Sequence, residues 1–171
     1  MNREPGHLSG NPPEEDTRRL LVAWLGWLRM VFAALVVGIL LFGGVAVLFS
    51  GPLELELPPD TTSLVLIAIS VVTGMQGLAA PAIIRGAAVK SLPADVTIER
   101  LARIWFSSML VGLALLESAV FLNLVGLFLS ANLVHLPAAG IFAILMFAHY
   151  PGTHRLYDWI DRGLASRQNT F

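Results

Sequence analysis

Four apolar runs divide the chain, and none of them contains a lysine or an arginine. A helix needs about 20 mostly apolar residues to cross the hydrocarbon of a bilayer. The runs meet that length at residues 30–49, "MVFAALVVGILLFGGVAVLF", 63–84, "SLVLIAISVVTGMQGLAAPAII", and 104–129, around "GLALLESAVFLNLVG". The fourth, 133–150, "LVHLPAAGIFAILMFAHY", is the shortest and has Pro137 near its start. In a chain of 171 residues that is 56% hydrophobic and only 13% charged, such runs point to a membrane helix bundle, not a large aqueous core.

The cations set the orientation. Arg3, Arg18, Arg19 and Arg29 precede the first run, Arg85, Lys90, Arg100 and Arg103 separate the second from the third, and Arg155, Arg162 and Arg167 follow the fourth. The first loop, "SGPLELELPPDTT", holds Glu54, Glu56 and Asp60 but no cation, and "SANLVH" holds none either. The positive-inside rule then predicts four spans with both termini cytoplasmic. Trp24, Trp27, Trp105 and Trp159 are expected as interfacial anchors on that same side.

The expected fold is an all-α membrane protein of four transmembrane helices plus a C-terminal cytoplasmic amphipathic helix. Residues 1–17, rich in Pro, Gly and acids, read as a disordered cytoplasmic segment. Residues 18–150 read as the transmembrane domain, opening with an interfacial lead-in. In the tail, 151–171, Leu156, Trp159, Ile160 and Leu164 recur at helical spacing, with His154, Arg155, Asp158, Asp161 and Arg162 on the other face. That pattern predicts a helix lying on the membrane surface.

In lipid, helices associate through small residues and polar contacts. Ser70, Thr73, Gly77 and Ala80 form a small-residue stripe on the second run, and Ser108, Gly112, Ala119, Asn123, Gly126 and Ser130 form one on the third. The two stripes are expected to meet. Asn123, Thr73 and Ser70 are the polar groups expected in the packing, with Asn123 hydrogen-bonding in the seam.

Glu117 stands apart from that stripe, about 140° around the helix from Gly112 at about 100° per residue. At about 20 Å past Ile104 it lies well inside the hydrocarbon. An ionised carboxylate is costly there, and the second, third and fourth runs hold no cation to pair with it. A protonated, hydrogen-bonded carboxyl is expected, with Gln76, Thr73 and Ser118 as candidate partners.

"SSMLVGLALLESAVFLNLVGLFL" resembles the carboxylate-bearing helix of the proteolipid (c) subunit of rotary ATP synthases. The resemblance implies an ion or proton site at Glu117 and Ser118, with Gln76 as the helper from the preceding helix. It covers only residues 104–129. The alternating glycines of the inner helix and the short Arg-Gln-Pro loop of that family have no counterpart here, and two further spans are added. The whole chain, through "LAAPAIIRGAAV", "ALLESAVFLNLVG" and "YPGTHRLYDWID", is more similar to a family of small four-helix bacterial membrane proteins. That similarity implies a multi-pass protein of the bacterial inner (cytoplasmic) membrane, and no activity.

Enzymatic signatures are missing: no phosphate loop, no HExxH, no GxSxG and no Cys. His7, His135, His149 and His154 are scattered and read as interfacial residues. No cofactor or metal is expected, and a net charge of −1 argues against nucleic acid as a partner. The expected partners are the lipid bilayer and either further copies of the chain or a larger membrane complex. The expected function is that of an accessory or structural helix-bundle protein without enzymatic activity. The alternative is a small proton- or ion-responsive transporter or channel component using Glu117.

Overall fold

Helix α1 (Pro12–Phe49) runs without a break through the lead-in and the first apolar run. It is the first of five helices in the computed structural model, which describes residues 12–92 and 97–168. Pro12 and Pro13 open it where a missing N–H is no loss, and the exposed Glu15 and Asp16 suit the positive end of the helix dipole. Residues 12–17, expected in the disordered segment, are therefore helical; residues 1–11 lie outside the described residues.

Helix α2 (Thr61–Lys90) starts at Asp60, whose carboxylate accepts the Ser63 N–H at 3.1 Å. Helix α3 (Ile98–Ser130) starts at Thr97, whose hydroxyl accepts from the Arg100 N–H. Both caps answer donors that a helix N-terminus leaves open. Helix α4 (His135–Ala148) and helix α5 (Thr153–Gln168) follow.

Helix α3 is the hub. It packs against every other helix, most extensively against α2, whereas α1 and α2 share no extended contact. Half of its most apolar stretch is buried (50%), against 22% for α2 and 11% for α1. The order of the elements is thus a central helix with others laid around it, leaving part of α3 open. Ser107, Val111, Ala114 and Ser118 form that exposed face.

The α2–α3 seam is built of small residues, as expected: Ser70 and Gly77 of the expected stripe are buried, and Gly74 and Pro81 are buried in place of Thr73 and Ala80, with Gly74 set against Phe142 of α4. Ser63, Ser70, Gly74, Gly77 and Pro81 are the buried positions of α2, spaced 7, 4, 3 and 4, while Thr73 and Ala80 are half-buried beside them. That spacing follows a left-handed packing line, as in coiled coils. A Cβ on Gly112 would come within 2.6 Å of Pro81 Cγ and 3.0 Å of the Gly77 carbonyl oxygen. A Cβ on Gly77 would meet the Leu116 backbone nitrogen at 3.0 Å and the Gly112 oxygen at 3.1 Å. Pro81 has a second role here. Lacking an N–H, it leaves the Gly77 carbonyl without its helical donor, and that carbonyl faces the Gly112 backbone, where Cα–H···O contact suits it.

Helices α1 and α3 run parallel. Trp24 meets Phe106 edge-on at 5.5 Å, and further along Phe42 meets Phe121 at 5.2 Å. Phe32 packs edge-on against Phe147 and Tyr150 of the α4 end. Toward the acidic end α1 and α4 part, leaving a crevice of about 560 Å³ with Gly43, Gly44, Ala139, Gly140 and Ala143 among its walls.

The described lysine and arginines collect at one end of the structure, and the other end carries Glu54, Glu56 and Asp60 without a cation. Arg103 stacks on Trp24, Arg29 on Tyr150 and Arg85 on Trp159, all within 6 Å of the ring centres (5.7, 5.8 and 5.6 Å). At the other end the acidic loop pairs with the α3–α4 connection: the Glu54 N–H donates to the Ala131 carbonyl at 3.1 Å and the Leu133 N–H to the Glu54 carbonyl at 2.9 Å. Buried Asn132 secures this join, donating to the Glu56 carbonyl and accepting from the Val134 N–H.

Three helices, α1, α2 and α3, are each long and apolar enough to cross a membrane. The expected fourth span is shorter than residues 133–150. Helix α4 has 14 residues, about 21 Å, and α5 follows after a short break with a 60° bend. The apolar face of α5 also meets something other than the expected membrane surface. Leu156 and Ile160 are buried in the main core, Gly163 sits on Leu101, and the Trp159 indole N–H donates to the Leu101 carbonyl at 3.2 Å. An amphipathic pattern says only that one face seeks apolar cover, and the first turns of α3 provide it. Trp105, expected in an interfacial belt, is likewise a core residue at 1% exposure.

Candidate functional site

Glu117 lies on the border between the side of α3 that α1 covers and the open face. Leu113, Val120 and Leu124 beside it are buried, while Ala114 and Ser118 are exposed. Glu117 itself is half-buried, and its carboxyl makes no hydrogen bond to another described residue. The Ser118 hydroxyl donates to the Ala114 carbonyl of its own helix at 2.8 Å. Gln76 is exposed on α2, about 100° around the helix from the inward-facing Gly77.

The expected cluster of Glu117, Ser118 and Gln76 is therefore not joined by hydrogen bonds among the described residues. The reason is angular. Helix α2 covers the Ser108–Gly112 side of α3, and Glu117 belongs to the α1 side.

The polar packing residues satisfy their own helices. The Ser70 hydroxyl donates to the Ile67 carbonyl, and the Asn123 amide donates to the Ala119 carbonyl, both at 2.8 Å. Asn123 is fully buried as expected, but its Oδ1 has no partner among the described residues, so the amide gives the seam no cross-helix bond there. Close approach comes from the glycines, and the hydroxyls serve to satisfy local carbonyls.

A polar connection missed in the sequence joins α2 to α4. His135, expected at an interface, has no exposed surface, and its Nε2 lies 3.1 Å from the Ser63 hydroxyl, which is equally buried. The imidazole lies flat on Gly126, where a side chain would collide with it. Gly126, expected on the α3 stripe that faces α2, thus makes room for α4. Hydrogen bonding from Ser63, through its side chain and its N–H, holds the Asp60 carboxyl below the usual carboxylate range.

A base within reach of a hydroxyl has the geometry of an activated nucleophile. Here neither side chain is accessible, and Asp60 bonds Ser63 instead of orienting the ring through Nδ1, which has no partner among the described residues. The arrangement works as a pin between two helix starts. No group of three or more His, Asp or Glu that could hold a metal occurs among the described residues. Comparison with family models, with curated proteins and with solved structures finds no match for this chain.

Proposed function

We propose that the chain is a four-span protein of the bacterial inner membrane, with both termini cytoplasmic. In this reading it acts without enzymatic activity, as an accessory or structural component of its own oligomer or of a larger membrane complex. Two ties support the fourth span. One end of α4 is joined to Ser63, where the second apolar run begins, and the other to Arg29, just before the first: Arg29 donates to the Thr153 hydroxyl at 3.1 Å and the Pro151 carbonyl at 3.5 Å. A short helix held between those two levels crosses the same slab as its longer neighbours. Cysteines at Lys90 and Arg155 should then resist an impermeant thiol reagent in intact cells, while one at Leu55 reacts. The native chain supplies no background thiol. Labelling of Lys90→Cys in sealed cells would overturn this topology.

The accessory role is carried by the crevice between α1 and α4. Each wall has small residues among its aliphatic ones, Gly43 and Gly44 on α1 and Ala139, Gly140 and Ala143 on α4, and a Cβ on Gly44 or Gly140 would meet no atom within 4 Å. Close approach of a further helix is what such surfaces permit. Gly140→Leu should leave the melting temperature of the isolated chain nearly unchanged, because the site is open, yet remove its assembly in mild detergent. An assembly that tolerates Gly140→Leu would count against this seat.

The alternative, a proton- or ion-responsive component, is favoured by one observation: Glu117 stands half-exposed at mid-helix without a hydrogen-bond partner among the described residues. Glu117→Gln separates the readings, since the amide keeps the size of the acid but cannot release a proton. Silence of that variant supports the accessory role. A proton flux in proteoliposomes that the wild type supports and Glu117→Gln abolishes would put the second reading first.

A further inference from the structure

Between α1 and α3, at the arginine end, lies a cleft of about 470 Å³. Its walls are Trp24, Trp27, Arg103, Phe106, Ser107 and Leu110. We propose that it binds one anionic glycerophospholipid, with the phosphate at Arg103 and an acyl chain laid along the open face of α3. The proposal rests on the membrane-spanning reading above.

Each part of such a lipid has a counterpart. The Arg103 guanidinium is held 5.7 Å over the Trp24 ring, and Trp24 is itself braced edge-on by Phe106. One of its nitrogens bonds Glu99 at 2.6 Å. That pair is exposed at both ends and so is weakly held, and the remaining donors of Arg103 have no hydrogen-bond partner among the described residues. A planar guanidinium with free N–H groups suits a phosphate. Trp27 is exposed at 52% beside it, and indoles favour the level where headgroup meets hydrocarbon.

Below Arg103 the cleft turns apolar through Phe106 and Leu110. It then continues into the open face, where Ser107, Val111, Ala114 and Ser118 are exposed. From Ser107 to Ser118 is about 16 Å of helix, roughly the depth of one leaflet's hydrocarbon. Small side chains along that line leave a shallow channel for a chain. Helix α2 does not close it, because α2 and α1 share no extended contact.

The test uses the full-length protein in mild detergent and native mass spectrometry. Phosphatidylglycerol and phosphatidylcholine of identical chains are compared. Phosphatidylglycerol should bind about fivefold more tightly, and Arg103→Gln should remove that preference. Arg100→Gln, which removes a charge one turn away and outside the cleft, should change binding less than about twofold. Ser107→Leu leaves every charge in place but fills the cleft, and should weaken both lipids. Glycerol 3-phosphate, the headgroup without chains, should not displace the bound lipid.

Equal losses from Arg100→Gln and Arg103→Gln would reduce the effect to diffuse charge and overturn the site. So would unchanged binding in Ser107→Leu, or displacement by glycerol phosphate alone. A chain that passes the cysteine test of topology but binds the two lipids alike would overturn this proposal and leave the four-span reading standing.

Discussion

Gly112→Leu should separate α2 from α3. A side chain there runs into the ring of Pro81 and the backbone of Gly77, neither of which can swing aside. Overpacking of a tight interface costs about 1–3 kcal/mol, and rigid neighbours place this change at the upper end, about 3 kcal/mol. The melting temperature in detergent should fall accordingly. Val111→Leu is the matched control one residue earlier, on the open face at 42% exposure. It should stay within about 0.5 kcal/mol of wild type, as surface changes do. Comparable shifts from the two would mean that the α2–α3 seam does not pass through Gly112. Leu113 is no substitute as a control. It lies off the small-residue stripe, yet it is buried to 1% because α3 is covered by several helices at once.

His135→Ala should be nearly as damaging, for a different reason. It empties a fully enclosed site and strips the buried Ser63 hydroxyl of its partner on α4. Large-to-small changes in a core cost about 2–5 kcal/mol, and about 2–4 kcal/mol is expected here. Ser63→Ala removes one hydrogen bond and little volume, so about 1 kcal/mol is expected. Because the two side chains form one contact, the double variant should be less damaged than the sum of the singles, with a coupling of about 0.5–3 kcal/mol. Unfolding of the four proteins in detergent measures this directly. Additive losses would show that the imidazole and the hydroxyl act independently, and the pin between α2 and α4 would have to be given up.

What was readable in the sequence was periodicity and charge. Gly77 and Gly112 stood out because small residues at helical spacing have few uses in an apolar run other than close packing. The gathering of arginines at one end followed from the loops alone. What was not readable was which face meets which helix. A helical period locates Glu117 on α3 but does not say that α2 covers another side, so Gln76 reads from the sequence as a partner to which no hydrogen bond runs. Ser63 and His135 are 72 residues apart, and no local pattern links them. The α5 helix shows the same limit. Leu156 and Ile160 announce an apolar face, and the same spacing serves a membrane surface or the flank of another helix.

The central position of α3 also bears on how the chain comes together during synthesis. The first two helices leave the ribosome with no extended surface for one another. Each is apolar enough to rest in lipid by itself, and in the interval before residue 98 they have no extended interface to form with one another. Only when α3 arrives do both acquire a partner, one through glycines and the other through aromatic rings. Assembly of this protein is therefore deferred to its third helix. The short α4 and the docking of α5 then close the sequence of events on a scaffold already in place.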